Sequence, residues 1–553
     1  MRWVVPTLRA IPHLTPTLSA PGGGEGGQWH RLCRLALLPV LCLLLAAPAA
    51  AEQILHRGHH DEPESLDPHK SDGAQEMSIE DDLFEGLTRL DSHGKVVPGV
   101  ASAWEMSPDG LAWTFHLRPG LLWSDGSPLT AEDFVWSMRR AVDPATASPV
   151  AEVLYPIAGA KALNEGTVKD PATLGVAAPD PATVVIRLER PNTLVPSIMA
   201  LTETLPVPRR AIEAHGESWA RPGHMISNGA FILDAWRPQL DVTLKRNPHY
   251  WDAASVALDG VRWQTVEDEQ TSLRLYRSGE LDIAWISPRD VPRLRTEMPA
   301  ELHTDTTLRC DFLAVNTRLP PFDDLRVRRA LSMIIDRDTL AAKVNAHGQK
   351  PAVSLVPPGI EGYAQPLPDW AAKPMPERIA EAEELLAEAG FGPQNRLHVD
   401  LSYPTSETDR LTMLAVAAMW RAAGIDADPD NQEMQVFNAA LRDHQEQIAF
   451  TDWIADYADP STFLSLLDSR SVQENTPDYR NPEYDALLDK AAGILDRAAR
   501  MAVLQEAEAI VNRDAPIIPI AFETRPLLVS PRVRGYVGNP LESNLSRDLS
   551  LAQ

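Results

Sequence analysis

Cysteine is almost absent from this chain, with 3 in 553 residues. Cys33 and Cys42 lie in an N-terminal stretch expected to be removed, and the remaining Cys310 alone makes no internal disulfide. Stability must therefore come from a buried core. Beyond residue 51 no apolar run approaches the roughly 20 residues that a membrane-spanning helix needs. Positive charge is scarce: 51 Lys plus Arg face 77 Asp plus Glu, a formal net charge of −26. That balance excludes a dedicated nucleic-acid binder and a polybasic membrane-surface protein, both of which need a basic face. Proline and glycine, 48 and 30, stay near their average share, so neither a collagen-like nor a disordered chain fits. What is present is 44% apolar residues over a length sufficient for two to four domains.

Arg31 and Arg34 precede an apolar run from Leu35 to Leu45, followed by the small residues Ala46 to Ala51. This order is that of a secretory signal with cleavage expected after Ala51. A membrane anchor is the competing reading, but the run carries Pro39 and is too short to span. Residues 1–30, with Pro21-Gly22-Gly23-Gly24, have the pattern of neither a signal nor a domain and read as an over-extended translation start. Cys42 follows Pro39-Val40-Leu41 without the small residue that precedes a lipid-modified cysteine, so no lipoprotein is expected. Cleavage removes four Arg and one Glu and takes the formal charge from −26 to −29.

In the mature chain, residues 113–117, 183–188 and 241–245 alternate as strands. Thr130-Ala131-Glu132-Asp133 opens a helix with a capping-box pattern, and Phe134, Met138 and Ala141 give it an apolar face. From about residue 310 helices lengthen. Asp323 or Asp324 can cap one with Leu325, Ala330, Leu331, Ile334 and Ile335. Segments 379–389 and 411–423 end at Gly390 and Gly424, where left-handed caps are expected. Between them Leu397 to Leu401 alternates as a strand, and this order implies an α/β lobe with a partly parallel sheet.

The sequence has no zincin, Walker, dinucleotide, C-x-x-C or nucleophile-elbow motif. His56, His59, His60 and Asp61 form the densest metal-capable group, yet their spacing matches no standard site, and solvated or pocket-edge histidines are expected instead. The pairs Asp81-Asp82, Asp323-Asp324 and Glu383-Glu384 read as solvated or capping carboxylates. In Trp453-Ile454-Ala455-Asp456-Tyr457-Ala458-Asp459-Pro460, Asp459 before proline suits a helix cap. Asp456 is not needed for that cap. It reads either as half of a structural ion pair or as a carboxylate for a ligand cation.

These residues, with Ser65-Leu66-Asp67-Pro68-His69-Lys70, Asp82-Leu83-Phe84-Glu85-Gly86-Leu87, Trp123-Ser124-Asp125-Gly126, Asn228-Gly229-Ala230-Phe231, Tyr276-Arg277-Ser278-Gly279-Glu280-Leu281-Asp282 and Pro321 to Arg328, resemble the oligopeptide-binding proteins of ABC importers. That extracytoplasmic solute-binding family also includes dipeptide, nickel and murein-peptide binders. The resemblance runs from about residue 53 to the C-terminus. It implies an α/β, two-lobed periplasmic-binding-protein fold with a hinge and an extra domain on the N-terminal side. By analogy lobe I is 52–84 with 209–308 and 524–553, the extra domain 85–208, and lobe II 309–523.

The resemblance further implies a non-enzymatic periplasmic receptor, monomeric and without a cofactor, that passes short peptides to an inner-membrane ABC permease. Asp456 would pair with the peptide amine; Trp453, Ile454 and Tyr457 would lie beside it; Asp72, Gly73 and Ala74 would form the opposite wall. Met434, Phe450 and Phe312 stand where relatives carry other ligand-facing residues, Phe450 replacing an arginine near the ligand carboxylate, and Ala314 stands at an acidic position. A disulfide of some relatives would need cysteines at Arg309 and Ile454. The rival reading keeps the fold but binds a metal chelate, a murein fragment or an opine-like compound. A secreted hydrolase and a sensory protein without transport are the alternatives from other classes. N-terminal sequencing of the secreted protein is expected to read Glu52 first; a sequence starting at Met1 would contradict both the signal and the over-extended start.

Overall fold

The structure is a computed structural model that describes residues 52–71, 73–471 and 474–552. The expected signal segment and Asp72 lie outside these residues. Gln53–Gln553 forms one compact unit. Among the described residues, an eleven-stranded sheet runs Asp426–Gln432, His398–Pro404, Ile448–Ile454, Leu302–Val315, Ile517–Val529, Ile283–Trp285, Ile54–His59, Gly260–Thr265, Asp241–Arg246 and Phe231–Arg237, with Lys350–Pro351 added to Ile517–Val529. Both ends of the sheet contain parallel pairs: His398–Pro404 with its two neighbours, and Ile54–His59 with its two. A separate four-stranded antiparallel sheet holds Ala101–Met106, Ala112–Leu117, Val176–Asp180 and Thr183–Arg187.

Two long antiparallel strands, Leu302–Val315 and Ile517–Val529, join the ends of the large sheet. Their pairing is regular from Leu302 to Thr306 and resumes at Cys310. Between these, residues 307–309 lie opposite Glu523 alone. A second irregularity leaves Ile520 unmatched beside Pro519, which has no N–H to give to a ladder. Bulges bend and twist a strand pair. The apolar cores separate at this crossing. Leu55, Phe134, Phe231 and Val261 belong to one, while Leu313, Val399 and Trp420 cover one face of the far sheet and Phe312, Phe463 and Leu504 the other. The result is two lobes linked by a bulged double strand.

The local signals act as read. Thr130 and Asp133 form the capping box of helix Ala131–Val142, whose Phe134, Met138 and Ala141 are buried. Asp324 accepts the Arg326 N–H at 2.8 Å at the start of Leu325–Ile334. Gly390 and Gly424 follow Met375–Glu388 and Glu407–Ala422 with φ of +91° and +84°.

One expectation is overturned. Asp82 is not a solvated carboxylate: it is buried and accepts from Trp263 Nε1 (3.1 Å), Ser546 N (3.1 Å) and Ser546 Oγ (2.8 Å). Three donors offset the cost of burying it. Neighbouring Glu85 is buried likewise, held by Tyr250 Oη and Trp251 Nε1 at 2.6 Å each and by Arg547. These bonds pin the C-terminal segment to the first lobe. No helix among the described residues is long and apolar enough to cross a membrane.

Candidate functional site

The strand Ile448–Ile454 pairs along its whole length with Leu302–Val315 on one side. On the other, His398–Pro404 meets it only at Ile448 and Ala449. Among the described residues the second edge has no strand partner from Phe450 to Ile454. Ala455 N–H donates to Leu308 O at 2.8 Å, and in an antiparallel ladder backbone groups alternate sides. The N–H and C=O of Asp452 and Ile454 therefore face the open edge. Ile454 is 50% exposed, an apolar side chain left beside unfilled hydrogen-bonding positions.

Asp456 follows two residues later. Its Oδ2 accepts from Thr462 Oγ1 at 3.1 Å, and the same hydroxyl accepts from Trp453 Nε1 at 3.1 Å. Thr462 thus orients both the carboxylate and the tryptophan beside it. The turn is locked by Asp459, which accepts from Ser461 N (3.0 Å) and Ser461 Oγ (2.7 Å) and pairs with Arg500 at 2.6 Å in a buried salt bridge. Asp459 accepts the first N–H of the short helix Ser461–Leu464, but it stands one residue before the cap, which is Pro460 and not the aspartate expected. Nothing local signals Thr462 or Arg500, because their partners are set by the fold.

Among the described residues Asp456 makes no ion pair. Asp456 itself is exposed, and the protein packed around it raises its pKa, with the Thr462 bond opposing. Glu203 and Glu474 are raised by burial too, and the Asp456 charge adds to both. This end of the cleft is therefore an oriented, uncompensated negative site. Tyr457, its neighbour, is half-buried, and burial with the charges of Asp459 and Asp456 raises its phenol.

The other expected residues are placed unequally. Gly73 is the cap residue of helix Ala74–Leu83, with which Ala74 begins, and that helix packs on the turn carrying Glu203. Met434 is half exposed at the start of Met434–Arg442. Phe450 and Phe312, expected beside the ligand, are core residues, each 5% exposed, on opposite faces of the sheet. They support the strand from beneath and offer no side chain to its open edge. Arg309 stands directly opposite Ile454, so the position of the relatives' disulfide holds a cation beside an apolar residue.

On the first lobe, a cavity of about 230 Å³ opens at the C-terminal ends of Ile54–His59, Gly260–Thr265 and Ile283–Trp285, where open α/β sheets place ligands. His59, His60, Trp263, Trp285, Arg525 and Glu542 are among its walls. His59 packs edge-on to Trp263, and burial pushes its pKa down to about 4. His59 and His60 thus line a pocket that His56 does not reach, and no cluster among the described residues is arranged to hold a metal ion.

The family model for bacterial extracellular solute-binding proteins, family 5, matches residues 95–498. The probable deoxycholate-binding periplasmic protein YgiS of Escherichia coli is 38% identical over 506 residues, covering 91% of this chain and 94% of that one. The periplasmic oligopeptide-binding protein OppA of the same organism is 37% identical over 511 residues, covering 91% and 93%. The unliganded open form of the periplasmic murein tripeptide-binding protein MppA superimposes with a TM-score of 0.81 at 36% identity, covering 91% and 98%.

A folded-state pKa above the unfolded one means that the protonated form is favoured by folding. Asp456 therefore contributes stability below its unfolded pKa, and that contribution is lost as pH rises through the raised folded value. Asp456→Asn is expected to match wild type in thermal unfolding at pH 4 and to exceed it at pH 7 to 8. An advantage that shrinks with rising pH would contradict an uncompensated carboxylate.

Proposed function

Because the chain belongs to the bacterial extracellular solute-binding proteins of family 5, we propose that it captures short peptides between its lobes and delivers them to an ABC transporter permease. The observation that carries the reading is the open edge of Ile448–Ile454 ending at unpaired Asp456. An extended peptide adds there as a strand, with main-chain hydrogen bonds at Asp452 and Ile454 giving affinity independent of side chains. Its ammonium group meets Asp456 in a charge-assisted bond. The cavity on the first lobe receives ligand side chains as the lobes close.

A bile acid, the ligand class in the name of YgiS, carries a carboxylate and no cation. The negative surroundings of Asp456 oppose such a ligand. We further propose a periplasmic location after signal cleavage, a monomer, no catalysis, and lobe boundaries at 84/85, 208/209, 308/309 and 523/524. The last two coincide with the strand crossing at residues 307–309 and Glu523.

Removing a charged hydrogen-bond partner costs about 2 to 3 kcal/mol, or roughly 30- to 150-fold in affinity. Asp456→Ala is expected to weaken binding of a free-amine peptide by that factor in calorimetry. The N-acetylated peptide should bind wild type and variant equally weakly. If the variant binds the free-amine peptide as tightly as wild type does, Asp456 does not hold the amine.

A further inference from the structure

Beside Asp452 on the open edge, the charges are arranged quite differently from a carboxylate-binding site. Arg309 Nε lies 3.0 Å from Asp311 Oδ1 and 3.3 Å from Asp452 Oδ2. Asp311 is buried and diagonal to Glu523 across the crossing strands. Burial and the Glu523 charge raise Asp311 strongly against the pull of Arg309. Burial would raise Glu523 as well, but His347 and Asp311 hold it low. His347 Nε2 reaches Glu523 at 2.9 Å, and Gln349 Nε2 donates to it. Asp409, in the first turn of Glu407–Ala422, belongs to the same group; burial raises it, the Ser406 bond and the Arg309 charge oppose, and the charges of Asp452 and Glu523 add to the rise.

Four carboxyl groups from four elements thus meet one guanidinium and one imidazole. Arg309 is already shared between two aspartates, and Asp409 has no ion pair among the described residues. His347 and Gln349, 3% and 7% exposed, turn their Nε2 atoms into the cluster while His347 Nδ1 and Gln349 Oε1 remain without partners. Among the described residues no cluster is arranged to hold a metal ion, and on the peptide reading the cation that suits this charge is a ligand side chain. Phe450, packed in the core, supplies nothing for a ligand carboxylate. Asp452 is 40% exposed and sits on the open edge itself.

The spacing fixes where such a cation belongs. Asp452 is four residues before Asp456, about 13 Å along an extended chain. A peptide whose amine is at Asp456 and which runs back along the edge brings its third or fourth residue to Asp452. Resting on the peptide reading above, we infer that the cleft selects peptides with lysine or arginine at the third or fourth residue, held by Asp452 and Asp409. Like charge at that place disfavours an acidic side chain and a free C-terminal carboxylate.

Calorimetry on the intact mature protein tests this with alanine pentapeptides carrying lysine, norleucine or glutamate at residue 2, 3 or 4. Lysine at residue 3 or 4 is expected to bind about tenfold tighter than norleucine there, a gain of one partly exposed charge-assisted contact. Glutamate should bind weaker than norleucine, and lysine at residue 2 should gain nothing comparable. Asp452→Asn and Asp409→Asn should each lower the lysine-to-norleucine ratio. A wild-type ratio near one at residues 3 and 4 overturns the inference while leaving peptide capture intact. Failure of every free-amine pentapeptide to bind sinks the peptide reading and this inference together.

Discussion

An unpaired strand edge inside a cleft is the constraint on which the site depends. Backbone N–H and C=O groups that leave water without partners are costly, so the edge at Asp452 and Ile454 is stable only while solvent or another chain satisfies it. When the lobes close and expel water, an extended ligand must take over those bonds. The surrounding architecture keeps that edge open. His398–Pro404 diverges after two residue pairs, the Asp459–Arg500 bridge fixes the turn beyond the strand, and Thr462 holds Asp456 where an added strand would begin.

Closure needs a joint that bends without dissolving the sheet. Bulges at residues 307–309 opposite Glu523, and at Ile520, interrupt the double strand between two separately packed cores. Lobe contacts across the cleft are light. Arg289 reaches Glu407 at 3.5 Å and Arg190 reaches Asp489 at 3.6 Å, all well exposed and hence worth little. A ligand that touches both lobes therefore shifts the population toward the closed form without breaking strong bonds. The same joint carries the carboxylate cluster, so ligand charge and lobe geometry meet at one place.

Much of the fold was legible because its signals are local. Thr130 and Asp133 cap one helix, Asp324 another, and Gly390 and Gly424 end two more in left-handed conformations that other residues adopt with strain. Asp456 was marked out as a candidate by the residues around it and the family they resemble. Its unpaired state was not, because that depends on which cations the fold keeps away. Phe450 and Phe312 were expected at the ligand, but a strand buried on both faces shows no alternation to reveal which side chains are inside. Asp82 read as solvated because its three donors lie 181 and 464 residues away in sequence. The cluster at Glu523 is equally nonlocal: the pairings of Leu302–Val315 and Lys350–Pro351 with Ile517–Val529 bring Asp311, His347 and Gln349 to it.

Native mass spectrometry of protein purified from the periplasm without refolding, compared with the same sample after denaturation to release bound material, tests the central claim most directly. The account predicts a ladder of released masses that fragment as peptides with free amines. A single non-peptide mass would contradict it, leaving the closing cleft in place but removing the role assigned to Asp456 and the open strand edge.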